Sequence, residues 1–98
     1  MFVDVTTDHI NQGKRHSPWC CPIALAVKDY LRLNDIKEFH VQVCRISIKI
    51  SIPLKLDDSY SMNQDVQTWL DQFDHEKEVD PITLFVDSSN NGKIGIWR

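Results

Sequence analysis

Apolar residues at helical spacing predict two amphipathic helices in this chain. In the first, an i, i+3, i+4 stripe begins after Pro22 and consists of Ile23, Ala26, Val27, Tyr30 and Leu31. In the second, the same spacing is kept by Val66, Trp69, Leu70 and Phe73. Each helix is therefore expected to pack one face on a hydrophobic core.

Local signals predict where the helices begin. Proline is tolerated at the first helical position, so either Ser17-Pro18 or Cys21-Pro22 can open the first long helix. Ser61, with a glutamine three residues later, has the form of a capping box for the second. A shorter helix of one or two turns is predicted after Thr7 as its N-cap, with Gly13 placed to end it.

Alternation of apolar and polar residues predicts the strands. Residues 2–5 form a short first strand, and residues 39–52 alternate over a longer stretch in which the apolar phase slips between Val43 and Cys44. A β-bulge or sharp bend at this slip keeps both apolar sets on one face, and a tight hairpin at Cys44-Arg45 is the alternative. Pro53 confines the end of the stretch to an edge or a terminus, and residues 57–59 are predicted as a loop.

The last part of the chain predicts a β-hairpin. Residues 81–86 are rich in strand-forming side chains, residues 89–92 carry an Asn-Asn-Gly turn signal, and residues 93–97 form the returning strand. The predicted element order is β-α-α-β-β-α-β-β. We therefore expect one α+β domain over residues 1–98, with a mainly antiparallel sheet carrying helices on one face. A length of 98 residues suits a single core.

Composition bears on the cellular compartment of the protein and on whether it binds a metal or cofactor. No apolar run approaches 18 residues and no basic-then-apolar segment opens the chain, so we expect no membrane contact and a cytoplasmic location. The three cysteines, Cys20, Cys21 and Cys44, are odd in number and lack the spacing of a zinc site. Reduced thiols, no metal and no cofactor are therefore predicted.

The net charge of −3 is the sum over three segments that differ in their balance of acids and bases. Residues 1–56 hold five acids and eight bases, whereas residues 57–80 hold eight acids and Lys77 as their one base. The last 18 residues hold one acid and two bases. This balance argues against direct binding of nucleic acid, and the acidic segment could face a basic partner.

One arrangement could support nucleophilic catalysis. Cys21 lies at a predicted helix N-terminus, where the helix dipole lowers the pKa of a thiol. Asp8 and His9 could join it as a Cys-His-Asp set, since geometry and not chain order defines such sets. Phosphate-binding loops, serine nucleophile elbows and zinc-protease motifs are absent from the sequence. A cysteine enzyme is thus a third hypothesis, and no catalytic residue is assigned.

Carboxylates in and after the second long helix form the leading candidate binding site. Asp71 and Asp74 lie near its C-terminus, where acids oppose the helix dipole by a few tenths to about 1 kcal/mol each. A row of carboxylates can occupy a basic groove built for a phosphate backbone, or it can simply be a solvated face. The candidate partner-binding residues are Asp71, Asp74, Glu76, Glu78 and Asp80, with Trp97 as an apolar anchor.

The basic loop Lys14, Arg15 and His16 is the alternative ligand-binding site. It is too short to follow a nucleic-acid backbone, but it could bind the phosphate of a nucleotide. In that case the protein is a small-ligand-binding module or a sponge for a nucleotide signal.

Two blocks of the chain resemble a family of small bacteriophage and bacterial proteins without an established activity. Residues 3–31 carry its VT-x-x-HI-x-x-G-x-R opening and CPIALA helix, and residues 66–86 resemble its helix ending in FD and the strand that follows. Where that family commonly has glycine after FD, this chain has His75-Glu76. The resemblance implies a phage or mobile-element origin and transfers no catalytic residue. The shared Thr6 or Thr7, His9, Gly13, Arg15 and Cys21-Pro22 are expected to fix the packing of the first helix on the second.

Together these features favour a non-catalytic, phage-type interaction protein. The hypothesis is that it binds a basic surface of a host nucleic-acid-handling defence complex and inhibits that complex, as an anti-CRISPR protein does. The protein itself is expected to be a monomer or a homodimer.

Overall fold

Three helices and six strands form the described part of the chain, which in this computed structural model comprises residues 2–53, 56–87 and 92–97. In chain order the elements are β1 (Phe2–Val5), α1 (Thr7–Gln12), α2 (Pro22–Leu33), β2 (His40–Val43), β3 (Ser47–Ile52), β4 (Leu56–Met62), α3 (Gln64–Asp74), β5 (Ile82–Asp87) and β6 (Lys93–Trp97). The predicted α+β class is confirmed, with β4 as an additional strand. None of the helices in these ranges is long and apolar enough to cross a membrane.

The strands make one sheet in the order β1-β5-β6-β4-β3-β2. Neighbouring strands are antiparallel except for β4 and β6, which are parallel. The buried strand residues lie on one face, here called the helix-covered face: Val3, Val5, Val41, Val43, Ile48, Ile50, Tyr60, Met62, Leu84, Val86 and Ile94. The opposite face is the open face. The predicted mainly antiparallel sheet with helices on one side is therefore confirmed.

Helix α2 contacts β1 and β2, which are the two edges of the sheet. In a flat sheet these edges would be about 24 Å apart, because neighbouring strands are about 4.8 Å apart. A helix with its side chains is only about 10–12 Å wide. The sheet must therefore curl around α2, whose Ile23 and Val27 are almost completely buried. Helix α3 packs beside it on β4 and β6.

Strand β4 replaces the loop predicted at residues 57–59. Among its described side chains only Tyr60 and Met62 are buried, so its local sequence carries little strand signal. It becomes a strand because β3 and β6 pair with it on both sides, and such pairing outweighs local preference. The capping box predicted from Ser61 is also wrong. Ser61 belongs to β4, and Asn63 caps α3 by accepting the Val66 N–H at 3.0 Å.

A tight hairpin, and not a bulge, causes the break in apolar–polar alternation after Val43. Val43 pairs with Ile48 on the buried face, and the Cys44 N–H donates to the Ser47 carbonyl at 2.7 Å. Arg45 and Ile46 therefore form the loop, one residue later than the predicted hairpin. At the other end of the chain, β5 and β6 pair as predicted. The turn predicted at residues 89–92 lies outside the described residues except for its glycine.

Helix α1 is held on α2 by residues of the VT-x-x-HI-x-x-G-x-R opening. Its N-cap is Thr6, one residue before the predicted cap, and the Thr6 N–H donates to His9 Nδ1 at 3.0 Å. His9 Nε2 lies 2.6 Å from the Asp29 carboxylate of α2. A Cβ at Gly13 would lie 2.6 Å from the Pro22 ring, so only glycine allows this approach. The contacts of Thr6, His9 and Gly13 agree with the expected packing of the first helix on the second. Arg15 departs from it, because it packs on Phe73 of α3.

Helices α2 and α3 both end in a Schellman motif. After α3, the Glu76 N–H donates to the Phe73 carbonyl and the Lys77 N–H donates to the Gln72 carbonyl. This motif requires a left-handed residue, and Glu76 has φ of +62°. In the same position after α2, Asp35 has φ of +61°. Glycine is the preferred residue at both positions, because a Cβ is disfavoured in that conformation.

Replacing Glu76 by glycine is expected to stabilise the protein. Glu76→Gly removes the left-handed strain and should raise the free energy of unfolding by about 1 kcal/mol in urea denaturation. Glu76→Ala removes the same charge but keeps the Cβ, so it should stabilise the protein less. Equal effects of the two variants would show that charge, and not backbone conformation, limits stability at this position.

Candidate partner-binding site

Five of the six predicted partner-binding residues line two different clefts along α3. Asp71 and Asp74 line a cleft of about 640 Å³, here called the histidine cleft. Glu78, Asp80 and Trp97 line a second cleft of about 900 Å³, here called the acidic cleft. Glu76 is exposed but lines neither of them.

In the histidine cleft the basic loop packs on the C-terminal end of α3. Arg15 Nε donates to the Phe73 carbonyl at 3.2 Å, and the guanidinium lies 5.5 Å from the centre of the Phe73 ring. The His16 N–H donates to an Asp74 carboxylate oxygen at 2.9 Å. Cationic groups at this position stabilise the negative end of the helix dipole and satisfy its last carbonyls. The basic loop therefore offsets the unfavourable effect of the acids near this helix end.

This packing is unfavourable for the predicted phosphate site. The Arg15 guanidinium and the His16 backbone already have partners, and Asp71 and Asp74 line the same cleft as His16. An anionic ligand there would meet two carboxylates. Lys14 is exposed, and its backbone N–H donates to the Cys20 carbonyl.

Two histidines also meet in this cleft. The ring centres of His16 and His75 are 6.2 Å apart, and His75 Nδ1 lies 3.3 Å from an Asp71 carboxylate oxygen. Even so, within residues 2–53, 56–87 and 92–97 no three or more histidine, cysteine or acidic side chains are grouped as a metal ion requires.

The pKa of the Cys21 thiol differs from the prediction. Cys21 does cap α2, where its Sγ accepts the Ala24 N–H at 3.4 Å. However, burial raises the pKa of the Cys21 thiol to about 11, because desolvation of the thiolate outweighs the backbone hydrogen bonds that favour it. The predicted lowering of this pKa is therefore wrong. His9 does not supply a base either, because its ring nitrogens contact Thr6 and Asp29.

Four carboxylates converge on the acidic cleft. They come from β1, from α3 and from the segment between α3 and β5: Asp4, Asp65, Glu78 and Asp80. Among the described residues that line the cleft there is no lysine, arginine or histidine. Trp97 stands at its edge with 57% of its surface exposed.

Strand register and two hydrogen bonds position Asp4, Asp80 and Trp97. Asp4 pairs with Thr83, and Thr83 pairs with Trp97, so the three residues form a row across β1, β5 and β6. The Thr83 hydroxyl donates to the Asp4 carboxylate at 2.8 Å. On the other side, the buried Trp69 indole donates to the Asp80 carbonyl at 2.9 Å. This bond holds the segment with Glu78 and Asp80 against α3.

Three aromatic residues meet on the open face beside the acidic cleft and are here called the aromatic cluster: Phe2, Phe85 and Trp97. The Phe2 ring centre lies 5.3 Å from that of Phe85 and 5.2 Å from that of Trp97. Half of Phe2 is exposed, and Phe85 is partly exposed. Trp97 belongs to both the aromatic cluster and the acidic cleft.

Asp4 and the two phenylalanines are functional candidates that the sequence analysis missed. The alternation in β1 does place Phe2 and Asp4 opposite the buried Val3 and Val5, which is a usable signal. Their proximity to Trp97 depends on the order of the strands, which the local pattern does not contain.

Comparison of the chain with protein-family models, with curated proteins and with solved structures found no match.

The buried Cys21 predicts a loss of stability in alkaline solution. Its pKa is about 11 in the folded protein and 9.0 in the unfolded chain, so above pH 9 the unfolded chain releases the thiol proton first. The free energy of unfolding should therefore fall by roughly 2–3 kcal/mol between pH 9 and pH 11 because of this group. Urea denaturation of the wild type and of Cys21→Ser measures the difference. Parallel pH profiles for the two proteins would refute the assignment.

Arg15 is expected to stabilise the fold. Arg15→Ala removes a hydrogen bond to a helix end and a cation–π contact, so it should lower the free energy of unfolding by about 1–2 kcal/mol. Lys14→Ala, at the exposed neighbouring residue, should change it by less than about 0.5 kcal/mol. Equal stability of Arg15→Ala and Lys14→Ala in thermal and urea denaturation would contradict the packing role of the basic loop.

Proposed function

We propose that this protein is an interaction protein that binds a cationic surface of a partner protein through the acidic cleft. The observation that carries the proposal is that Asp4, Glu78 and Asp80, which are all exposed, line one cleft together with the exposed Trp97. The proposed activity requires no chemical step.

Electrostatics supports a cationic partner. Carboxylates collected at one cleft repel one another, and an approaching positive charge relieves that repulsion. Such a surface accelerates encounter with a basic partner and makes charge-assisted hydrogen bonds to lysine and arginine. Two of the acidic residues are also well positioned, because strand pairing holds Asp4 and the Trp69 indole holds the backbone at Asp80.

The partner that suits this surface is a complex that handles nucleic acid. Grooves that bind a phosphate backbone are rich in lysine and arginine, and a protein with fixed carboxylates can compete for them. We therefore assign the protein the role of an anti-CRISPR-like inhibitor that blocks a host defence complex in the cytoplasm. The resemblance of residues 3–31 to phage proteins supports this role. The nucleotide-binding alternative gains no support from the placement of Arg15 and His16.

A charge reversal in the acidic cleft should abolish partner binding. Tagged wild-type protein, Glu78→Lys and Glu38→Lys are each used to capture proteins from bacterial lysate that contains defence complexes, followed by washes at low and high salt. Glu38→Lys is the matched control, because Glu38 is exposed before β2, at the opposite edge of the sheet from β1. A stoichiometric partner should remain on the wild type and on Glu38→Lys at low salt and should elute at high salt.

On Glu78→Lys, retention of that partner should fall at least tenfold. Excess target nucleic acid should also displace the partner from the wild type, because both compete for the same basic groove. Equal retention by all three proteins, or no effect of nucleic acid, would contradict the proposal.

A further inference from the structure

The aromatic cluster borders the acidic cleft through Trp97, and the two features together define a more specific ligand. We infer that this composite surface binds arginine side chains of the partner in preference to lysine side chains. The inference rests on the proposed function, since it specifies the cation that the acidic cleft accepts.

The arginine guanidinium and the lysine ammonium differ in how well they fit such a surface. A guanidinium is planar and weakly hydrated, so it can stack on an aromatic ring and still donate two parallel hydrogen bonds to a carboxylate. A lysine ammonium is a compact charge that holds its water strongly. Exposed rings and carboxylates side by side therefore favour arginine, while carboxylates alone favour both cations about equally.

Two arginines of this protein already pack on a ring while they donate a hydrogen bond to oxygen, and for Arg32 that oxygen belongs to a carboxylate. Arg15 lies over the Phe73 ring while its Nε donates to a carbonyl oxygen, and Arg32 lies over Phe39 at 5.5 Å while it donates to Asp29 at 3.0 Å. Trp97 offers a larger ring in the cleft that Asp80 and Glu78 also line, and more than half of its surface is exposed. An arginine from a partner would thus find the environment that the chain gives its own arginines.

A second copy of this chain is a poorer occupant of the surface. A two-fold contact through the aromatic cluster would bring the carboxylates that border it, Asp4, Glu78 and Asp80, close to the same groups of the other copy. The three partly exposed rings also offer only about 300 Å², whereas a stable interface needs about 800 Å² from each partner. Single-stranded nucleic acid is disfavoured as well, because stacking platforms for it lie in positively charged grooves.

The test compares two synthetic peptides of equal length and charge, one with four arginines and one with four lysines, each spaced by glycine and serine. Fluorescence anisotropy at low and high salt measures their binding to the wild type, to Trp97→Leu and to Glu78→Lys. The wild type should bind the arginine peptide about threefold to fivefold more tightly than the lysine peptide.

Each variant removes one part of the surface. Trp97→Leu keeps an apolar side chain without an aromatic face, so the preference for arginine should fall below about twofold while binding of the lysine peptide is kept. Glu78→Lys should weaken binding of both peptides. Trp97 is exposed, and circular dichroism will show that Trp97→Leu remains folded.

The alternatives give different results. Equal binding of both peptides to the wild type, weakened by Glu78→Lys, would overturn the arginine preference and leave the proposed function standing. Absence of binding to either peptide would overturn both. Tighter binding of a single-stranded oligonucleotide, or a dimer in sedimentation that Trp97→Leu dissociates, would assign the aromatic cluster to nucleic acid or to a second copy and would overturn the inference.

Discussion

Helix α2 contacts both edges of the sheet, and the remaining architecture depends on this contact. A sheet that curls around one helix has one buried face. In every strand, therefore, one set of alternating side chains points to the core and the other set points away from it. The residues that point the other way are not required for the core. Phe2, Phe85 and Trp97 collect there because β1, β5 and β6 are adjacent, and not because the core needs them.

The parallel pairing of β4 with β6 positions the acidic cleft. Two parallel strands need a crossover connection, and α3 provides it on the helix-covered face. The chain then returns along the segment after α3 to the end of the sheet where β1 finishes and β5 begins. Glu78 and Asp80 arrive there beside Asp4, which is more than 70 residues away in the chain.

The acidic block of the sequence is divided by the fold into two parts with different surroundings. At the C-terminal end of α3, Asp74 binds the backbone of His16 and lies near Arg15 and His75, so opposite charges are mixed. At the acidic cleft the exposed Asp4, Glu78 and Asp80 lie in one lining with Trp97. The same run of acids therefore contributes to internal packing in one place and to the proposed contact surface in the other.

Spacing along the chain was sufficient to predict α2 and α3, the C-terminal hairpin and the α+β class, because these features depend on residues within a few positions of one another. It left the start of α2 open between Ser17-Pro18 and Cys21-Pro22, and the structure has it at the second. It did not predict β4, whose polar residues form a strand through pairing with β3 and β6. The raised pKa of Cys21, the docking of Arg15 on α3 and the placement of Asp4 and Glu78 at one cleft also required the folded structure. Burial and contacts between distant segments produce these features, and neither is contained in a local pattern.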